Sequence, residues 1–310
     1  MQNKLEKTNP AIAILLATYN GSKFIDEFLR SLEAQSRSDF VVYIRDDGSN
    51  DDTLEIIDNH RALLKIEVIP SEKRVGAAKS FFELMEKSSK KHLFYLFADQ
   101  DDWWYPDKVA RATKFLADVV DEVALYCSRL EYVDSNLNHL AYSRRPHLFS
   151  LKNAVVENIA TGCTVGITGK VIDEVLAARP YDYVMHDWWL YMYCSAKGRV
   201  LYDPDASIKY RQHGGNAIGA ATTMLDDFNR RWTRFITNRG GAHPLSKQAK
   251  AFLACYGDAL SPNDRSILER VVSGTRSTLS RWSLFLHPPV ARQLKIDSLA
   301  MRLLFLLGRY

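Results

Sequence analysis

The chain has 310 residues, of which 46% are hydrophobic and 25% charged, with a formal net charge of +4. This balance is typical of a globular protein with a large core and excludes a disordered chain, and the length allows at most two domains. No apolar run approaches the roughly 18 residues of a spanning helix, although residues 299–307 are markedly apolar.

The charge distribution and the cysteine spacing bear on the cellular compartment of the protein. Residues 222–310 carry 14 Lys and Arg against 6 Asp and Glu, so the positive charge is concentrated in the last third of the chain. The four cysteines show no C-x-x-C spacing, and no signal peptide precedes the first apolar run. We therefore expect a cytoplasmic protein.

Strand and helix patterns alternate from the start of the chain. Residues 11–18 (AIAILLAT) predict a buried strand, and 22–35 predict an amphipathic helix with Ser22 as its N-cap. The pattern repeats as strand 40–45, helix 52–60, strand 66–70, helix 76–88 and strand 93–98. This alternation predicts an α/β fold in which helices flank a mostly parallel sheet.

Acidic residues follow two of these strands. Asp99-Gln100-Asp101-Asp102 comes directly after strand 93–98, and Asp46-Asp47-Gly48-Ser49 follows strand 40–45. Carboxylates at the carboxyl edge of an α/β sheet suit Mg²⁺ or Mn²⁺ together with a phosphorylated ligand. Helix capping and ordinary turn chemistry would also explain these acids, and both interpretations stay open at this level.

Three motifs together carry a family resemblance. ATYNG (17–21), RDDGSNDDT (45–53) and ADQDDWWYPDK (98–108), in this order, resemble the nucleotide-binding half of glycosyltransferase family 2, which has the GT-A fold. The resemblance covers residues 10–220. It implies a catalytic domain over 1–220, with a nucleotide-binding half at about 10–105 and an acceptor half at about 106–220. Beyond Gly219 the chain becomes basic, with apolar residues at helical spacing, which predicts a basic helical extension at 221–310.

The resemblance also assigns roles to individual residues. It implies Asp47 on the nucleobase, Asp99 near the ribose and Asp101 on the metal. The full set of predicted nucleotide and donor residues is Thr18, Tyr19, Asn20, Asp46, Asp47, Asp99, Gln100 and Arg211.

The segment 184–190 (VMHDWWL) places an acid between His and two Trp, where a charge is unusual unless it is used or paired. Family members carry an acidic pair here whose aspartate is the catalytic base, so the resemblance implies that Asp187 deprotonates the acceptor. His186 stands where the family usually has Glu. Helix capping by Asp187 and core packing by the tryptophans remain the alternative. The predicted acceptor and sugar pocket comprises Trp103, Trp104, Cys163, His186, Trp188 and Trp189.

The segment 208–216 (IKYRQHGGN) ends a strand-like run with Arg, His and two glycines, which suits a loop that approaches a phosphate. Similarity to bacterial rhamnosyltransferases of the family implies His213 as a second metal ligand beside Asp101, with Mn²⁺ or Mg²⁺ as cofactor. It also implies dTDP-L-rhamnose as donor, with a UDP-sugar as the alternative, and a cell-surface glycan or lipid-linked glycan as acceptor.

The basic and large apolar residues of the C-terminal extension are compatible with more than one binding partner. Its arginines, among them Arg230, Arg234 and Arg281, alternate with Trp232, Trp282, Leu284, Phe285 and Phe305. Basic residues beside exposed aromatics favour contact with an anionic membrane at the inner face of the plasma membrane. Packing against the catalytic domain or a second copy of the chain explains the same residues. No nucleic-acid-binding module is recognised.

Four other functions compete with that of an inverting glycosyltransferase. A sugar nucleotidyltransferase would need a glycine-rich basic phosphate loop near the first strand, and a dinucleotide oxidoreductase would need G-x-G-x-x-G there; the sequence has neither. An inactive GT-A protein that binds a glycan or scaffolds an assembly would keep the fold alone. A processive synthase is disfavoured because spanning helices and Q-x-x-R-W are missing from the sequence.

Overall fold

The computed structural model describes residues 10–71, 73–212 and 244–310. Within these residues, nine strands form one mixed sheet in the order β3-β2-β1-β4-β8-β6-β9-β5, with β7 paired to β6. The strands are β1 (Ile12–Thr18), β2 (Phe40–Asp46), β3 (Ile66–Ile69), β4 (Phe94–Ala98), β5 (Trp103–Trp104), β6 (Ala124–Val133), β7 (His139–Tyr142), β8 (Gly166–Thr168) and β9 (Arg199–Arg211).

Helices cover both faces of the sheet. Those before the undescribed segment are α1 (Ile25–Glu33), α2 (Thr53–Asn59), α3 (Ala77–Ser88), α4 (Lys108–Ala117), α5 (Leu151–Ala154), α6 (Gly169–Ala178) and α7 (His186–Lys197). Those after it are α8 (Pro244–Tyr256), α9 (Pro262–Ser273), α10 (Thr278–Leu286) and α11 (Lys295–Leu307).

The first strand shows why its sequence is apolar throughout. Successive side chains of a strand point to opposite faces of the sheet. Ala13 and Leu15 enter the core that contains α3, α6 and α7, whereas Ile14 and Leu16 enter the core that contains α1 and α4. Because helices cover both faces, a continuous apolar run is the stable solution for β1.

The predicted elements of the first hundred residues are all present, and none of their ends is shifted by more than three residues. Strands β1 to β4 are mutually parallel, as the alternating pattern predicted. The N-cap prediction for Ser22 is wrong, because α1 begins at Ile25 after Phe24. The backbone N–H of Ser22 instead donates to Asp51 at 3.1 Å, so Ser22 belongs to the contact between two loops.

The C-terminal helices share a core with the sheet. Phe252 of α8 lies 5.3 Å from Trp189 of α7 between ring centroids. Leu284 and Phe305 are buried, in agreement with the packing alternative, whereas Trp282 is exposed. The predicted boundary near residue 220 lies outside the described residues and stays a prediction. Arg230 and Trp232 also lie outside them, so their predicted contact with a membrane or a protein surface stays a prediction as well. Across the described part of the chain, no helix has the length and apolarity needed to cross a membrane.

Candidate active site

The carboxyl ends of β1, β2 and β4 lie side by side. Thr18 is the register partner of Asp46, and Leu16 that of Ala98, so Asp99 leaves the sheet at the level of Ala17, one residue before Thr18. The Thr18 hydroxyl donates to Asp46 at 2.8 Å. The structure thus places the two acidic loops at one edge of the sheet, where α/β folds bind ligands.

The loops after β1 and β2 are interlocked by hydrogen bonds. The backbone N–H of Asn20 donates to Ser49 at 2.8 Å, and the side-chain oxygen of Asn20 accepts from the N–H of Asn50 at 3.0 Å. Asp46 accepts from the N–H groups of Gly48 and Ser49. Asn20 and Asp46, both predicted donor residues, therefore hold the edge of the site in shape.

Gln100 joins the second acidic loop to the first loop. Its amide accepts from the backbone N–H of Tyr19 at 3.0 Å and donates to the carbonyl of Tyr19 at 3.1 Å. A side chain at Gly21 would collide with it, since a Cβ there would lie 2.3 Å from the Gln100 oxygen. Gly21 is thus required for this close approach.

The ring of Tyr19 is covered by Arg74. The guanidinium carbon lies 3.8 Å from the ring centroid, and Arg74 also donates to the Tyr19 hydroxyl at 3.0 Å. Sequence reasoning missed Arg74. The available signal was its place in the loop that joins β3 to α3, two residues before Gly76. Such a strand-to-helix loop lies at the same edge of the sheet as the acidic loops, so a basic residue in it could reach the site.

Asp47 accepts three hydrogen bonds from the protein. Arg45 donates at 2.7 Å, and the backbone N–H groups of Val75 and Gly76 donate at 2.8 Å each. Burial acts to raise the pKa of Asp47, but these donors outweigh it and hold the pKa below its usual value. Gly76 has φ of +83°, a conformation that glycine adopts without strain. Asp47 is therefore a fixed anion at the edge of the sheet.

Buried acids cluster behind this edge. One ligand atom each from Asp99, Asp102 and Cys163 lies within 4.8 Å of the others. Asp102 is completely buried, and its Oδ2 has no hydrogen-bond partner among the described residues. Burial and neighbouring aspartate charges raise the pKa of both Asp99 and Asp102. A cation near these carboxylates would relieve their repulsion, so the acids present fit a hard divalent ion.

The members of this cluster differ from the predicted metal pair. Asp101 is not part of the cluster, and His213 lies outside the described residues. Burial and the charges of Asp102 and Asp99 raise the pKa of the Cys163 thiol, which stays protonated. Cys163 is fully buried, so it lies beneath the acids and has no surface at which a sugar could bind.

Lys108 lies under the acidic cluster and was also missed from the sequence. Its ammonium donates to the carbonyl of Cys163 at 2.9 Å and lies 4.5 Å from the Trp104 ring centroid. Burial lowers the pKa of Lys108 to about 8. The available sequence signal was helical spacing, because Lys108 falls on the same buried face of α4 as Val109, Ala112 and Leu116.

Arg211 organises the chain around the acidic loop. Its guanidinium donates to the backbone carbonyl of Asp101 at 2.8 Å, to the carbonyl of Ser135 and to Glu27. It also lies 4.6 Å from the ring centroid of Phe24 and is 1% exposed. These contacts surround the guanidinium with protein, so Arg211 shapes the loop from behind and does not present a surface to a phosphate.

Asp187 lies in the first turn of α7 and is buried. It accepts from the side chain of Asn158 at 3.0 Å and from the N–H of Trp188 at 2.7 Å. Burial, opposed by these hydrogen bonds, raises the pKa of Asp187 to about 6. Its charge also raises the pKa of Asp99, so the acid of the second half lies close to the acids of the first half.

His186 packs against the rings of two phenylalanines. Its ring centroid lies 3.9 Å from that of Phe81 and 5.3 Å from that of Phe97. Neither ring nitrogen has a hydrogen-bond partner among the residues described. Burial lowers the pKa of His186 to about 3, so the imidazole is neutral. His186 therefore packs behind the site next to Asp187.

The four tryptophans of the predicted sugar pocket separate into two groups. Trp104 and Trp189 are completely buried; Trp104 packs on Phe28, and the Trp189 indole donates to Tyr256. These two rings belong to the core and offer no face to a sugar. Trp103 and Trp188 are partly exposed, although the Trp188 indole donates to the carbonyl of Ala154 at 2.6 Å.

Comparison with known proteins identifies the fold and the family. The sequence profile of the family described as Glycosyl transferase family 2 matches residues 13–172, which include all three loops at the sheet edge. The chain belongs to glycosyltransferase family 2. Its mixed sheet, flanked by helices and followed by a helical C-terminal region, is the GT-A fold of that family.

Individual glycosyltransferases resemble the chain over most of its length. The dTDP-rhamnosyl transferase RfbG of Shigella flexneri is 30% identical over 229 residues, which are 69% of this chain and 77% of RfbG. A crystal structure of Staphylococcus aureus TarS 1-349 with UDP-GlcNAc has a TM-score of 0.56 at 18% identity, covering 96% of this chain and 92% of that one. The Pyrobaculum calidifontis mannosyltransferase PcManGT, solved with GDP-Man and Mn²⁺, has a TM-score of 0.52 at 17% identity and covers 94% and 79%.

Proposed function

We propose that this glycosyltransferase is an inverting enzyme in which Asp187 is the general base. The observation that carries the proposal is the proximity of Asp187 to the acidic cluster. A Cβ at Gly162, the residue before Cys163 of the cluster, would lie 3.5 Å from Oδ2 of Asp187, and the charge of Asp187 raises the pKa of Asp99. A donor held at the acidic loop and an acceptor hydroxyl at Asp187 would then meet between the two halves. An acceptor hydroxyl is a weak nucleophile, and a carboxylate that takes its proton assists a single displacement at the anomeric carbon.

The donor is bound at the edge formed by β1, β2 and β4. In the proposal, Thr18, Tyr19 and Asp47 hold the nucleobase and Asp99 the ribose. Asp47 is well suited to its role because Arg45 and two backbone N–H groups fix its position and keep it ionised. Asn20, Asp46 and Gln100 support these residues through the loop contacts.

Mn²⁺ or Mg²⁺ fits the acidic cluster. We propose Asp101 and His213 as its ligands, with Asp99 and Asp102 adding negative charge around it. When bound, the ion neutralises charge on the leaving diphosphate. The chain's own contribution is to place the carboxylates. The Arg211 guanidinium donates to the backbone carbonyl of Asp101, the Arg211 backbone N–H donates to the Asp102 carboxylate, and Lys108 lies beneath Cys163.

The donor we propose is dTDP-L-rhamnose, with a UDP-sugar as the alternative. The 30% identity to a dTDP-rhamnosyl transferase over 69% of the chain supports the rhamnose donor. The acceptor we propose is a cell-surface or lipid-linked glycan. We further propose that the enzyme acts in the cytoplasm at the inner face of the plasma membrane.

Calorimetry with dTDP, UDP and GDP, each with Mn²⁺ and with chelator, tests the donor site first. We expect tight binding of dTDP that is lost with chelator, and release of dTDP from dTDP-L-rhamnose when an acceptor glycan is added. Release of pyrophosphate would instead indicate a nucleotidyltransferase. Failure of all three nucleotides to bind with Mn²⁺ would favour an inactive scaffold.

A further inference from the structure

The last two helices carry large apolar side chains into solvent. On each helix these residues recur every three or four positions, so they form one stripe per helix. Opposite faces of the same helices are buried through Leu284, Met301 and Phe305. The exposed residues, which we call the apolar ridge, are 41–83% accessible: Leu279, Trp282 and Leu286 on α10, and Ile296, Leu299, Leu303 and Leu307 on α11.

The stripes belong to two helices that pack against each other. Single exposed leucines are common on protein surfaces, but seven large apolar residues on adjacent helices are far above what an unpartnered surface carries. Trp282 adds an amphipathic ring of the kind that lies at a membrane interface. The ridge therefore indicates a binding surface.

The charge around the ridge points to an anionic partner. Residues 276–310 contain six Lys and Arg but a single acid, Asp297. Arg292 is used within the fold through Glu157 at 3.3 Å, whereas Arg276, Lys295 and Arg309 are exposed. Two copies that met through this face would bring like charges together, which disfavours self-association. An anionic bilayer satisfies both the apolar stripe and the positive charge.

We propose that α10 and α11 dock the apolar ridge on an anionic membrane surface. The side chains of the ridge enter the interface between headgroups and acyl chains, and the surrounding Lys and Arg contact the lipid phosphates. The segment between the two helices is tied to the catalytic domain, since Ala291 donates to Lys152 at 3.1 Å and Gln293 to Leu148 at 2.7 Å. Docking would therefore hold the active site at a fixed place relative to the membrane. This inference does not depend on which sugar is transferred.

Flotation of the full chain with lipid vesicles tests the proposal. We expect at least tenfold stronger binding to vesicles of phosphatidylcholine with 30% phosphatidylglycerol than to phosphatidylcholine alone. The triple variant Leu279→Ser, Leu299→Ser, Leu303→Ser should lose at least tenfold in binding to the anionic vesicles. Leu63→Ser is the matched control, because Leu63 is 76% exposed on the catalytic domain, and it should bind like the wild type.

Three outcomes would overturn the proposal. The first is a wild-type chain that does not bind anionic vesicles, and the second is a triple variant that binds them as well as the wild type. The third is light scattering in which the wild type is a dimer and the triple variant a monomer, which would make the ridge a contact between copies. Circular dichroism and donor-nucleotide binding show that each variant is folded, since serine at exposed positions removes no core contact.

Discussion

The side-chain amide of Asn158 donates to Oδ2 of Asp187 at 3.0 Å, across 29 residues of sequence. Trp188 and Asn158 contact different oxygens of the same carboxylate, so its orientation is fixed from two sides. Hydrogen bonds to an ionised carboxylate favour the charged form, whereas burial disfavours it. The balance leaves Asp187 with a raised pKa of about 6, which is suited to a base that works near neutral pH.

Replacing Asp187 should abolish most turnover. We expect Asp187→Asn to lower kcat by about 10²–10⁴-fold, the usual contribution of a general base. In the wild type, kcat/KM should fall below about pH 6, because the carboxyl is protonated there and cannot accept a proton. Asp182→Asn is the matched control, since Asp182 is exposed in the preceding loop. Normal turnover by Asp187→Asn would show that another group is the base.

Removing Asn158 should change the pH profile more than the fold. Asn158→Ala deletes a donor to the charged form of Asp187, so the acid limb of kcat/KM should move up by about one pH unit. Asn138→Ala, which removes an exposed amide that contacts Asp134, should leave the limb in place. An unchanged limb in Asn158→Ala would mean that the hydrogen bond does not tune Asp187.

His186 should make the protein less stable in acid. Its pKa is about 3 in the fold and near 6.5 in an unfolded chain, so between these values only the unfolded chain binds the proton. The His186 contribution to the free energy of unfolding is complete above pH 6.5 and is lost by about 1.4 kcal/mol per pH unit below it.

The variant His186→Phe checks this directly by urea unfolding at pH 7, 6 and 5. The free energy of unfolding of the variant, relative to that of the wild type, should increase as the pH falls, since phenylalanine binds no proton. His147→Phe, at a position outside the core, is the comparison. A difference between His186→Phe and wild type that does not vary with pH would contradict a buried, neutral His186.

Arg74 should contribute to nucleotide binding. The residue orders the Tyr19 ring and adds a positive charge at the edge where a diphosphate is proposed to bind. We expect Arg74→Ala to raise the Kd for dTDP by about tenfold, in line with the loss of one charge-assisted contact. Arg61→Ala is the control, because Arg61 pairs with Asp58 on the surface. A Kd equal to that of the wild type would limit Arg74 to packing on Tyr19.

Strands β1 to β4 were predictable from the sequence, whereas the remaining strands were not, apart from the strand-like run at the end of β9. β1, β2 and β4 are buried on both faces, which makes them uninterrupted apolar runs followed by polar loops. β5 and β8 have two and three residues, too short for any periodicity, and β9 contains Asp203 and Asp205 within its 13 residues. Their pairing depends on long-range contacts that no local pattern records.

The candidate site was predictable to a similar extent. Asp99 and Asp187 could be singled out because a charge beside apolar residues is uncommon. The use of Arg211 could not, since a guanidinium at the end of a strand looks the same whether it binds a phosphate or backbone carbonyls. The hydrogen bond from Asn158 also had no signal, because Asn158 lies in an irregular segment without a recognisable motif.

The contacts of residues 291–293 with the segment 147–157 have a consequence for protein engineering. The Trp189 indole also donates to Tyr256, so residues 147–197 and the C-terminal region contact each other at two separate places, one at segment 147–157 and one at the helix that bears Asp187. A chimaera that takes its acceptor half from a relative would replace one side of both contacts. Such exchanges should therefore keep residues 147–310 together on one side of the crossover, with the crossover placed in the exposed turn 134–138, which lies upstream of both contacts.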